Sequence, residues 1–190
     1  MKLNAKRVGL FLLILVASIL FGKIYDAATT AREKKNYPID PRYEAYVTDA
    51  AEEFGVPKSV LWAFCREESD FSSGLLSSDG RIGLLQISPS VLEFVSTKIL
   101  ETSYETGMLY DPKTNLRVGA AYLSYLYERY GNWSTVFAAY HVGVNTVDAW
   151  LKDPDHVSST GELKRLPSST ASYIKRLTKA ASLYQNLYYR

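Results

Sequence analysis

From Val8 to Gly22 the chain runs fifteen residues without one charged side chain. Such a stretch has no stable place on a water-facing surface, and it falls only a little short of the roughly 20 residues that cross bilayer hydrocarbon. Ile24 and Tyr25 extend it, Lys23 can carry its ammonium to the interface on a flexible stem, and Tyr25 suits that interface too. Lys2, Lys6 and Arg7 precede the run, which predicts a cytoplasmic N-terminus with everything after residue 25 outside. A cleaved signal peptide is the other reading. Val16-Ala17-Ser18 is its best cleavage site, but cutting there leaves a very short apolar core. The expectation is therefore a single-pass anchor in the cytoplasmic membrane through residues 8–25, or a secreted protein if the segment is removed. No cysteine lies here to carry a lipid.

Residues 26–40 read as a polar connector, Arg32-Glu33-Lys34-Lys35 then Pro38 and Pro41, forming either a helical extension of the anchor or a loose tether. Residues 41–190 are then one domain. Helix-start signals recur through it: Asp40 before Pro41, Ser88 before Pro89, Asp111 before Pro112, and Asn132 ahead of an apolar run. Gly55, Gly107, Gly131 and Gly161 sit where helices should stop, and strand alternation is almost absent. The prediction is an all-α domain with helices near 42–54, 57–69, 89–99, 112–130, 133–140, 143–152 and 168–187. A serine- and glycine-rich loop from Ser72 to Ile82 separates the second helix from the third.

A net charge of +2 points to no nucleic-acid partner and is compatible with an anionic polymer. Cys65 is the only cysteine and His141 and His156 the only histidines, so neither a disulfide within the chain nor a metal site is expected, and no cofactor motif appears. Cys65 reads as a small buried hydrophobe.

The second helix carries the feature of most chemical interest. Val60, Leu61, Phe64 and Cys65 recur at helical spacing, and Glu68, four after Phe64 and seven after Leu61, emerges on the same face. A carboxyl there should be desolvated and hold its proton to higher pH, as a general acid must. Glu67, seven after Val60, is the rival; both can also be solvated residues near a helix end.

Three blocks in order bear on that choice: Arg66-Glu67-Glu68-Ser69-Asp70-Phe71, then Ser77-Ser78-Asp79-Gly80-Arg81-Ile82-Gly83-Leu84-Leu85-Gln86-Ile87, then Ala138-Ala139-Tyr140-His141-Val142-Gly143. Together they resemble the soluble lytic transglycosylase family over residues 42–187. The resemblance implies a lysozyme-like helical domain that cuts peptidoglycan glycan strands, with Glu68 as sole acid and base. It also implies cleavage between N-acetylmuramic acid and N-acetylglucosamine without water, leaving a 1,6-anhydro end.

By the same resemblance Ser69 orients the acid or meets substrate, Gly83 lets the backbone approach sugar, and the Gln86 amide bonds it. Tyr140 stands beside the acid. Read from its own position, Ser69 can equally bond its own backbone. Leu85 stands where the family has methionine, a volume-conserving change. Arg81 replaces a small residue and reads as a solvated loop charge; facing the cleft it would meet a peptide-stem carboxylate. His141 occupies an asparagine position and either lines the cleft or packs between helices. Asp111 to Leu123 reads as structure. The stretch Leu166 to Ile174 resembles a block written Pro-x-Glu-Thr-Arg-x-Tyr-Val, but Ser169 and Ala171 replace its glutamate and arginine; Thr170 remains, and Tyr173 is left to flank a sugar. Many of the fifteen tyrosines, Tyr122, Tyr125 and Tyr130 among them, lie at helical spacing and read as core or rim.

Two other functions fit the sequence. A hydrolytic muramidase on the same fold would use Asp79 to position water. A catalytically weak wall-binding domain, working with the cell-wall machinery proteins of a secretion or conjugation apparatus, would explain the departures at His141 and Ser169.

Overall fold

The computed structural model describes residues 5–189, with side chains from residue 9 onward, so Lys2 lies outside the described residues and nothing is said of the Lys6 and Arg7 side chains. The chain forms two compact units divided between Pro38 and Ile39.

The first unit is one helix, α1, Ala5–Asn36. Its 32 residues make a rod about 48 Å long at 1.5 Å per residue, more than a bilayer's hydrocarbon thickness. Of the two connector readings the helical one holds, because the polar residues after Tyr25 continue α1 without a break. Leu10, Phe11, Leu13, Phe21 and Ile24 are all exposed, and Gly9–Asn36 is long and apolar enough to cross a membrane.

The second unit is helical throughout. Its elements are α2 Glu44–Phe54, α3 Lys58–Ser69, α4 Pro89–Lys98, a 3-10 turn Thr106–Tyr110, α5 Pro112–Tyr130, α6 Trp133–Val142, α7 Val144–Lys152 and α8 Ser168–Tyr188. No β-strand occurs among the described residues, only isolated bridges such as Leu76 to Ile82 and Ile82 to Ile87. Three expected caps are formed: Ser88, Asp111 and Asn132 accept from the amides of Val91, Thr114 and Thr135, each stabilising its helix by about 1 kcal/mol. Gly55 and Gly131 end α2 and α5 at positive φ. Gly107, expected as a stop, lies inside the 3-10 turn. Asp40 holds the amide and guanidinium of Arg42 in a turn ahead of α2.

Helix α3 is the hub. Val60 to Cys65 are buried without interruption, so this helix contacts neighbours on every side over that span. Trp62 packs on Phe71 and on Tyr184 of α8, and Phe64 meets Phe137 and Tyr140 of α6 edge to face. Burying each such ring contributes about 1.5–3 kcal/mol. Cys65 is fully buried, as expected, and burial pushes its thiol well above its usual range.

Candidate active site

Glu68 stands in the last turn of α3, which ends where Asp70 and Phe71 both take positive φ and donate back to Arg66 and Cys65. With Gln86, these are three of the five non-glycine residues at positive φ among the described residues. Each such residue costs on the order of 1–3 kcal/mol, and that strain gathers around one carboxyl.

The Glu68 side chain is only 6% exposed. Tyr173 of α8, expected to flank a sugar, donates its phenol to Glu68 Oε1. Arg81 Nη1 lies 3.6 Å from Glu68 Oε2. Burial raises the Glu68 carboxyl above its ordinary pKa; the Tyr173 hydrogen bond and the Arg81 and Arg176 cations oppose the rise, and the Glu67 charge adds to it. Burial and the nearby Glu68 charge hold the Tyr173 and Tyr140 phenols far above their usual range, so both keep their protons. Glu67 points elsewhere and pairs with Arg176 at 3.1 Å.

The segment Gly83 to Gln86 is tied to the end of α3 that carries Glu68, and three residues expected to touch sugar make contacts that hold it. Ser69 Oγ lies within hydrogen-bond reach of the carbonyls of Cys65 (3.0 Å) and Leu84 (2.8 Å), bracing the segment on α3. The Gln86 amide donates to the carbonyls of Gly83 and Leu75, so its N–H groups face inward. Gly83 is buried at φ +78°, and a Cβ there would meet Asn115 Nδ2 at 2.3 Å and the Leu109 carbonyl at 2.4 Å. The close approach to Asn115 and to the Leu109 carbonyl by itself demands glycine here.

Asn115, within the stretch read as structure, is what holds this segment. It is fully buried on α5, donates to the carbonyls of Ile82 and Leu109, and accepts from the amide of Leu85. The signal was present: an amide in register with Gly119 and Leu123 on an apolar face, the same anomaly that marked Glu68. Gly119 lies against Leu85, where a Cβ would sit 2.2 Å from Leu85 Cδ1.

Tyr140 donates to the Leu85 carbonyl at 2.6 Å and packs its ring on Phe64. His141 is not a packing residue: it is exposed, and its ring stacks on Tyr173 at 4.4 Å and 18°. Burial of the ring's inner side and the Arg81 and Arg176 cations lower its pKa, so the imidazole is neutral at pH 7. Arg81, read as a solvated charge, is only partly exposed and faces the acid. Its Nε donates to Asp79, whose other oxygen accepts from Ser77. The Arg81 guanidinium thus pairs with both carboxylates, and its hold on Asp79 keeps that carboxyl below its usual range, with Ser77 the larger cause.

Beside Arg81 a cavity of about 50 Å³ opens among Gln86, Ser88, Val91, Tyr122 and Tyr140. A second, about 210 Å³, shares Val91 and Tyr122 with it and adds Phe94 and Tyr125. The largest cavity, about 710 Å³, lies between α4 and residues 101–106, away from the acid. Tyr122 is nearly buried while Tyr130 bonds Asp148, so the tyrosines divide among core, cavity wall and rim. No cluster of metal-ligating side chains occurs among the described residues.

A helical domain whose hub helix ends in one buried carboxyl of raised pKa beside a braced loop defines a lysozyme-like class. The chain belongs to the transglycosylase SLT domain family, which matches it over residues 45–160. It is 31% identical over 140 residues to the soluble lytic murein transglycosylase of Escherichia coli K12, covering 71% of this chain and 21% of that protein. The membrane-bound lytic murein transglycosylase C of Yersinia enterocolitica is 30% identical over 94 residues, 47% of this chain and 25% of its own. The solved 70 kDa soluble lytic transglycosylase of E. coli superposes with a TM-score of 0.73 at 26% identity, over 90% of this chain and 27% of that one. An inactive glutamate-to-glutamine mutant of lytic transglycosylase Slt from Pseudomonas aeruginosa gives 0.68 at 29%, over 80% and 25%. The chain thus spans about a fifth to a quarter of these proteins' lengths.

Proposed function

We propose that this chain is a membrane-anchored lytic transglycosylase acting on peptidoglycan, with Glu68 as its acid and base. The observation that carries the reading is the buried Glu68 carboxyl, held by Tyr173 and raised in pKa. Glu68 protonates the glycosidic oxygen between N-acetylmuramic acid and N-acetylglucosamine as the bond breaks, leaving an oxocarbenium-like centre that the sugar's own acetamido group stabilises. The carboxylate so formed, stabilised by the Tyr173 hydroxyl and by Arg81, then removes the C6 hydroxyl proton. The C6 oxygen closes on C1, giving a 1,6-anhydro ring and consuming no water. Ser69, Gly83 and Gln86 act by fixing the loop that borders the acid; Tyr140 and His141 shape its rim.

The hydrolytic alternative is less well supported, because each Asp79 oxygen already accepts a hydrogen bond, one from Arg81 and one from Ser77. Helix α1 and the membrane-bound relative support an anchor through residues 8–25, and the positive residues Lys2, Lys6 and Arg7 ahead of it favour a catalytic domain outside.

The test is mass spectrometry of muropeptides released from purified sacculi by the detergent-solubilised full chain. Anhydro-muramic ends are expected from the wild type and not from Glu68→Gln; reducing ends, about 18 Da heavier by one water, would mean hydrolysis. Binding to sacculi without release would leave a wall-binding domain.

A further inference from the structure

Arg81 presents two edges. Its Nε edge is occupied by Asp79. On the other, Nη1 lies 3.6 Å from Glu68 Oε2, beyond hydrogen-bond reach, and Nη2 has no acceptor among the described residues. When Glu68 carries its proton, as an acid awaiting substrate must, that edge of the guanidinium faces no anion at all. A planar fork of donors left open in this way matches a carboxylate, which it binds through two parallel hydrogen bonds.

A space that Arg81 helps to line fits the same group. The cavity of about 50 Å³ is lined by Arg81, the Gln86 side chain, Ser88 and Tyr140. That volume is somewhat more than one water's share of the liquid, about 30 Å³, and suits a carboxylate rather than a sugar ring. Both Gln86 N–H bonds are directed inward, and Tyr140 gives its proton to Leu85, so Arg81 is the strong donor of the cavity. The other charged groups nearby are accounted for: Glu67 pairs with Arg176, and His141 is uncharged at pH 7.

We propose that Arg81 and this cavity receive a carboxylate borne by the sugar at the scissile bond, making Arg81 a specificity-determining residue for anionic glycan strands. The proposal rests on the reading that the cleft holds murein. Because Arg81 lies against the acid, the carboxylate must be carried by the sugar being cut and not by a distant one. Two sources present that group there: the lactyl carboxylate of a muramic acid without its peptide, and a carboxylate of an attached peptide stem.

Three substrates separate the sources: strands stripped of stems, the same strands with the lactyl carboxylate converted to its methylamide, and stem-bearing strands. With the detergent-solubilised full chain, kcat/KM for at least one carboxylate-bearing form should exceed that for the methylamide by tenfold or more, the scale of a charged hydrogen bond. Preference for stripped strands assigns the lactyl group; preference for stem-bearing strands alone assigns the stem. The ratio should fall to about 1 in Arg81→Ala and part of the way in Arg81→Lys, which keeps the charge and loses the fork. An equal ratio in wild type and Arg81→Ala would overturn the proposal. Calorimetric binding of N-acetylmuramic acid against its methylamide reads the same preference without turnover. A chain that binds the acid more tightly and cleaves nothing would defeat the catalytic reading and keep this one, whereas normal cleavage with equal binding of the two and no preference for stem-bearing strands over the methylamide would do the reverse.

Discussion

Glu67 and Glu68 leave α3 about 100° apart, and the two sides of the helix treat a carboxylate in opposite ways. On the outer side Glu67, its side chain 16% exposed, meets the half-exposed Arg176 across the seam with α8 in a partly exposed ion pair. On the inner side Glu68 is enclosed by Tyr173, Arg81 and the loop that Ser69 and Asn115 hold in place. Residue type is identical and sequence separation is one. What separates the two is the hydrogen bond each accepts: Glu68 takes one from a buried phenol of α8, with Arg81 at 3.6 Å, whereas Glu67 takes one from the guanidinium of Arg176.

The comparison breaks most sharply under Glu68→Gln. Release of anhydro-muropeptides should fall by about 10²–10⁴-fold, the usual worth of a positioned general acid. The same variant should be the more stable protein at pH 8. A carboxyl whose folded pKa is raised stabilises fully only below its ordinary, unfolded value; that contribution is lost as pH rises through the raised folded value. Glutamine escapes the loss, so its Tm should exceed wild type at pH 8 by about 2–4 °C per kcal/mol recovered. The two melting curves should converge below about pH 4, near the unperturbed carboxyl pKa. A Glu68→Gln protein less stable at pH 8 would mean that its partners outweigh its burial.

Tyr173→Phe should lower kcat by roughly tenfold, since the hydrogen bond favours the ionised acid that follows proton donation. Without that bond the Glu68 pKa rises further, so the alkaline limb of the kcat/KM profile should move to higher pH. A limb displaced to lower pH would mean that the phenol stabilises the protonated carboxyl instead. The smallest effect belongs to the outer side: Glu67→Gln should change activity by less than about threefold and stability by under 1 kcal/mol. A larger loss would show that the seam between α3 and α8 transmits the charge of Glu67 to its neighbour.

The helices were legible because caps and periodicity are local: Ser88, Asp111 and Asn132 declare their helices within three residues. Glu68 was legible because an acidic residue on an apolar face violates a local rule. The partners of Glu68 were not, since Tyr173 lies 105 residues away and only the packing of α8 on α3 brings it near. Arg81 was misjudged because the path of its loop depends on turn bonds, Ser77 with Arg81 and Gly83 with Leu75, that no spacing encodes. Ser69, Gly83 and Gln86 could be found by motif, but the direction in which a hydroxyl or amide donates belongs to the folded loop.

The Asn115 side chain makes three hydrogen bonds that a neighbouring strand would otherwise make: to Ile82, to Leu85 and to Leu109. It also belongs to the first turn of α5, whose amides Asp111 caps. The loop beside Glu68 is thereby tied to the N-terminus of α5. In native-state hydrogen exchange the Leu85 amide should share the opening free energy of the α5 N-terminus rather than that of exposed Leu75 or Leu76, because one amide has made a surface loop part of a helix's cooperative unit.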